Sequence, residues 1–139
     1  MIVLDAYALL AYLRDETAAG AVEALLRDGG CVINAVNLAE VLDQLARVDR
    51  LDMREVAEAL SGLIGGPFDV SAADEPVAWR AATIRARHYH RKDRDLSFAD
   101  CILIASAGPE DVIATADGDV AGAARAEGIE VRKLPSARR

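Results

Sequence analysis

Five short runs of aliphatic and β-branched residues recur along the chain: Ile2-Val3-Leu4, Cys31-Val32-Ile33, Phe68-Asp69-Val70, Val112-Ile113-Ala114 and Ile129-Glu130-Val131. Their length and character predict strands buried in a sheet. Between them the apolar positions repeat at helical spacing, which predicts helices over 6–13, 18–27, 36–48, 53–63, 73–89, 98–107 and 119–127. Gly29-Gly30, Gly65-Gly66-Pro67, Gly108-Pro109 and Gly128 punctuate the pattern. Alternating strands and helices need right-handed crossovers. The expected fold class is therefore α/β: a three-layer α/β/α sandwich with a mainly parallel sheet of four to five strands. The 139 residues fit a single domain over 1–135, with a tail at 136–139.

One predicted helix contains an anomaly. Phe98, Ala99, Cys101, Ile102, Leu103, Ile104, Ala105 and Ala107 leave it no polar face, so it should be buried. Asp100 nevertheless falls between Leu103, Ile104 and Ala107, where an unpaired charge costs several kcal/mol. A capping box offers one explanation, because Ser97 and Asp100 have its spacing and residue types. Two further acids follow strands. Asp5 ends the first and fits an N-cap, while Asp117 follows the fourth within Thr115-Ala116-Asp117-Gly118-Asp119, a turn-forming sequence. A parallel sheet points all its carboxyl ends one way, and ligands bind in the crevice outside them. Asp5 and Asp117 should share that edge. Glu40 is different: it lies in a polar stripe with Asn37, Asp43, Gln44 and Arg47, and periodicity alone predicts exposure.

Composition narrows the chemistry. With 53% hydrophobic and 28% charged residues, the sequence is that of an ordinary globular protein. The net charge of −7 argues against a general nucleic-acid coat, and 4% aromatics argue against a base-stacking platform. Basic residues cluster at Arg80, Arg85, Arg87, Arg91, Lys92 and Arg94, and again at Arg132, Lys133, Arg138 and Arg139. Such runs form a solvated face or a phosphate-binding strip. Cys31 and Cys101 lie in apolar runs and read as buried thiols; His88 and His90 read as exposed, and a zinc site is not supported. Met1-Ile-Val-Leu4 meets Asp5 too early for a signal peptide, and no apolar run reaches membrane-span length. A cytoplasmic location, with no membrane partner, is expected. Two carboxylates about 6 Å apart repel by about 3 kcal/mol at an effective dielectric of about 20, so four together would reach on the order of 10 kcal/mol. An all-oxygen cluster of that kind calls for a hard cation, Mg²⁺ or Mn²⁺.

The chain resembles the PIN-domain family, and within it the VapC-type toxins of bacterial toxin–antitoxin pairs. The matching pieces are Met1-Ile-Val-Leu-Asp5 with Ala8-Leu9-Leu10-Ala11, Asn37-Leu-Ala-Glu40-Val41-Leu42, Ser97-Phe-Ala-Asp100, and Thr115-Ala-Asp117-Gly-Asp119. The resemblance implies that Asp5, Glu40, Asp100 and Asp117 form a catalytic quartet holding Mg²⁺ or Mn²⁺, with Asp119 auxiliary and Thr115 behind it. It further implies a metal-dependent endoribonuclease that hydrolyses RNA by a metal-activated water, a cognate antitoxin partner and a homodimer. Arg85, Arg87 and Arg91 would then guide the RNA backbone. Two positions depart from the family pattern: Tyr7 replaces a small hydroxyl residue, and Asn34 stands where Ser or Thr is common. Tyr7 keeps open a catalytically inactive, PIN-like binding scaffold. A phospho-receiver module is the other alternative, but the third strand carries no Asp at its tip.

Overall fold

The computed structural model describes residues 1–136. Arg138 and Arg139, and with them all of the expected 136–139 tail except Ser136, lie outside the described residues. The elements run β1 (Ile2–Leu4), α1 (Ala6–Leu13), α2 (Ala19–Asp28), β2 (Cys31–Asn34), α3 (Ala35–Arg47), α4 (Met53–Leu60), β3 (Phe68–Ser71), α5 (Glu75–His88), α6 (Phe98–Ala105), β4 (Val112–Thr115), α7 (Gly118–Ala126) and β5 (Glu130–Lys133). The five strands form one sheet in the order β3-β2-β1-β4-β5, and every pair is parallel. This order differs from the 2-1-3-4-5 arrangement of phospho-receiver modules. That alternative is excluded by topology.

Alternation along the strands divides the interior in two. Leu4, Ile33 and Ala114 face a core built with α1 to α4, where Leu9, Val22, Val41 and Val56 are enclosed. Val3 and Ile113 face the opposite core, with Ala81 and Ile84 of α5, Leu103 and Ile104 of α6, and Val120 and Ala124 of α7. The sheet is thus covered on both faces, as parallel sheets are. β1 is central, paired with β2 through Leu4 against Ile33 and with β4 through Leu4 against Ala114. The chain builds outward from β1 to β3, then crosses back to β4 on the other side. The switch point lies between β1 and β4, and the ends of those strands carry Asp5 and Asp117.

Local chemistry sets the boundaries. The helix expected to reach residue 63 stops at Leu60, because Gly62 takes the left-handed φ of +79°. α7 ends in a Schellman arrangement: the Gly128 amide bonds the Arg125 carbonyl and the Ile129 amide bonds the Ala124 carbonyl, both at 3.0 Å. Ile129 therefore belongs to the helix cap, and β5 starts one residue later than its apolar run suggests. Two surface expectations are corrected. Phe98, assigned by its pattern to a wholly buried helix, is 58% exposed. His88, expected in solvent, is largely covered, its Nε2 against the Glu127 carboxylate and its Nδ1 3.4 Å from Arg94.

Gly128 adopts φ +80° with open space around its α-carbon. Gly128→Ala should therefore lose about 1 kcal/mol through backbone strain alone, read as a lower midpoint in denaturant unfolding with an unchanged m value.

Candidate active site

Three helix starts place three carboxylates at the carboxyl edge of the sheet. Asp5 caps α1, its Oδ1 accepting from the Ala8 amide at 2.8 Å. Asp117 caps α7, its Oδ1 accepting from the amides of Asp119 at 2.8 Å and Val120 at 3.2 Å. Asp100 sits in the first turn of α6, which runs back toward the start of β4 and so begins at the opposite, carboxyl edge. The capping box is present: the Asp100 amide donates to Ser97 Oγ and the Ser97 amide to Asp100 Oδ2, both at 3.0 Å. Yet Asp100 also lines a cavity of ≈ 370 Å³ with Asp5, Glu40 and Asp117. Asp100 thus closes the capping box and faces the acidic cavity at the same time.

The cavity has a floor and a rim. Asp5 is buried at the bottom, Asp100 is half-buried, and Glu40 and Asp117 stand at the exposed mouth. Glu40 thus keeps the exposure its polar stripe predicts while its Oε1 accepts from the buried Asn37 amide at 3.1 Å. Leu103, Val120, Ala6 and Ala116 supply apolar wall, and among the described residues no Lys, Arg or His lines the space. Burial is the main cause that raises the Asp5 pKa to about 6, against hydrogen bonds from Thr115 and the Ala8 amide, with Asp100 and Asp117 adding repulsion. Burial likewise raises Asp100 and Glu40. The repulsion has a centre, because Asp100 opposes the charge of Asp5, of Glu40 and of Asp117.

The donor set suits a hard divalent cation, being all oxygen and of excess negative charge. Among the described residues, no three or more acidic, imidazole or thiol groups stand close enough together to hold a metal ion as they are placed. Thr115 lies fully buried behind the site, where its hydroxyl bonds Asp5 and accepts from the Asp117 amide at 3.1 Å. Asp119 is not among the lining residues; its Oδ2 accepts from the Asp95 amide at 3.2 Å and ties the loop before α6 to α7. Tyr7 lines the cavity, but its hydroxyl donates to the Pro135 carbonyl at 2.9 Å. Asn34 caps α3 through the Val36 amide and is fully buried.

The arginines do not form one strip. Arg85 donates to the Leu96 carbonyl at 3.0 Å, and its guanidinium lies 4.3 Å from the Tyr89 ring centre and 4.5 Å from that of Phe98. Arg87 pairs with Glu127. Arg91 is exposed in the 89–97 loop. In that loop His90 and Arg94 exchange backbone hydrogen bonds, and the Arg94 guanidinium rests on Gly122, where a β-carbon would lie 3.0 Å from Nη2. Asn37 is the lining residue that periodicity gave no reason to select; its signal is the three-residue spacing to Glu40, which puts both on one helix face.

The sequence matches the model of the PIN domain family over residues 2–126, and the chain belongs to that family. Among solved structures it is similar to FitAcB from Neisseria gonorrhoeae, at 26% identity and a TM-score of 0.70, covering 94% of this chain and 96% of that one. DNA-bound VapBC from Salmonella typhimurium shares the fold at 18% identity and a TM-score of 0.70, covering 95% and 96%. A toxin–antitoxin complex from Klebsiella pneumoniae does so at 17% and 0.64, covering 88% and 92%. Among curated proteins, none matches the chain. No helix of the described residues is long and apolar enough to cross a membrane.

The raised Asp5 pKa has a testable sign. Asp5 holds its proton more tightly folded, near 6, than unfolded, near 3.8. Stability in EDTA should therefore rise as pH falls from 7 through 6 and level off below about 4. Ionised Asp5 costs the fold about 3 kcal/mol above pH 6. Asp5→Asn keeps an N-cap and should be the more stable protein at pH 7, with the two unfolding curves converging near pH 4.

Proposed function

We propose that this chain is the toxin of a toxin–antitoxin pair, a Mg²⁺- or Mn²⁺-dependent endoribonuclease acting in the cytoplasm on RNA phosphodiester bonds. The observation that carries this reading is the convergence of Asp5, Glu40, Asp100 and Asp117 on one open cavity with no basic side chain among the described residues of its lining. Membership of the PIN family supports nuclease chemistry, and the likeness to FitAcB, VapBC and a toxin–antitoxin complex supports an antitoxin partner. A homodimer is part of the same proposal.

In this reading Asp5 and Asp100 hold the cation from the floor, and Glu40 and Asp117 complete its surroundings from the rim. A bound divalent cation supplies positive charge that eases loss of a proton from water and stabilises the phosphate in the transition state. Thr115 fixes the Asp5 carboxylate, and Asp119 acts as an auxiliary by fastening the loop that leads into α6. The open mouth admits a strand of RNA beside the 89–97 loop, where Arg85, Arg87 and Arg91 are proposed to guide its backbone. The Tyr7 hydroxyl, engaged by Pro135, leaves the carboxylates accessible.

The two roles of Asp100 are separable. Ser97→Ala removes half of the capping box and should cost about 1 kcal/mol of stability while RNA cleavage persists. Asp100→Asn should match or exceed wild-type stability in EDTA, yet lose both Mn²⁺-induced stabilisation and cleavage. Expression of the wild type should arrest growth, with relief on co-expression of a small neighbouring reading frame. An Asp100→Asn variant that cleaves RNA at the wild-type rate would overturn the proposal.

A further inference from the structure

We infer that Asn37 is a positioning residue of the acidic site: its side-chain amide holds the Glu40 carboxylate against the start of α6 and so sets Glu40 relative to Asp100. The inference rests on the reading of the cavity as a cation site. Asn37 lies in the first turns of α3, lines the cavity and is only 2% exposed. Its Nδ2 donates to Glu40 Oε1 at 3.1 Å and to the Ala99 carbonyl at 3.3 Å. Ala99 immediately precedes Asp100. One amide group therefore joins the helix carrying Glu40 to the backbone carrying Asp100.

The orientation of this amide is fixed by its partners. Both are acceptors, so the turned-over amide would set a carbonyl against two oxygens. The arrangement leaves Asn37 Oδ1 enclosed with no hydrogen-bond donor among the described residues. A buried carbonyl without a donor destabilises a fold, and a leucine of similar size would carry no such burden. Packing gives no reason for an amide here. What the amide supplies is a donor to Glu40, in a cavity whose lining offers that carboxylate no cationic partner among the described residues. Groups that hold metal ligands in place in this way alter cation affinity ten- to a hundredfold when removed.

Calorimetric titration with Mn²⁺ of the wild type, Asn37→Ala, Glu40→Ala and the double variant tests this. Asn37→Ala should weaken Mn²⁺ binding about tenfold or more. In the Glu40→Ala background the same change should have almost no further effect, because its partner is gone. Asn37→Leu fills the position without either amide group and carries the same expectation if the alanine variant does not fold. Unchanged affinity, or losses that simply multiply in the double variant, would overturn the role of Asn37. A wild type that takes up no Mn²⁺ would overturn the cation reading instead. Thermal unfolding of the same four proteins in EDTA then decides the positioning role, non-additive if Asn37 and Glu40 act together and additive if they do not.

Discussion

Three of the four carboxylates of the cavity cannot move apart, because they also hold the starts of helices. Asp5 and Asp117 are the N-caps of α1 and α7, and Asp100 closes the capping box of α6. Swinging any of them into solvent would expose unpaired amides at a helix end. The same helix starts soften the repulsion they enforce, since each directs the positive end of its dipole toward the negative cluster. The strand order serves this arrangement. Reversing direction beside β1 brings the ends of β1 and β4 together, and with them two of the three capped helices.

This constraint makes the site costly without a cation. Asp5, deepest and most desolvated, shows the cost most plainly in a pKa near 6. The outer pair, Glu40 and Asp117, is better hydrated and leaves the mouth open. Depth thus grades the four acids: a floor that is hard to ionise lies beneath a rim in contact with solvent. Such a gradient concentrates the need for positive charge at one point, beside Asp5 and Asp100.

Much of this was legible along the chain, for physical reasons that differ from residue to residue. The strands and helices follow from periodicity because the sheet is buried on both faces and the helices are amphipathic. Asp5 and Asp117 were legible because parallel strands end on one side, and Asp100 because a charge in an apolar helix demands a reason. Glu40 was not: its exposure is real, and only the resemblance to PIN domains singled it out. Asn37 escaped because an amide in a polar stripe looks ordinary until its burial is known. His88 and Arg87 could not be placed either, since their partner Glu127 lies 39 and 40 residues away on another helix. The setting of Arg85 was not legible either, since a sequence does not reveal that Tyr89 and Phe98 bracket its guanidinium.

The contact between Arg94 and Gly122 joins the loop before α6 to α7 through a single side chain. Arg94 belongs to the loop that delivers Ser97 and Asp100, and it lies flat on α7 where position 122 has only a hydrogen atom. A methyl group there would press on the end of a flexible side chain, not on backbone, so the Arg94 guanidinium would yield by a few tenths of an ångström and the loop would keep its course. His88 and Glu127 anchor that side chain from behind and limit the direction in which it yields. A change at this half-buried glycine, remote from the acidic cavity, is thereby met by the tip of one side chain in the loop that leads into α6.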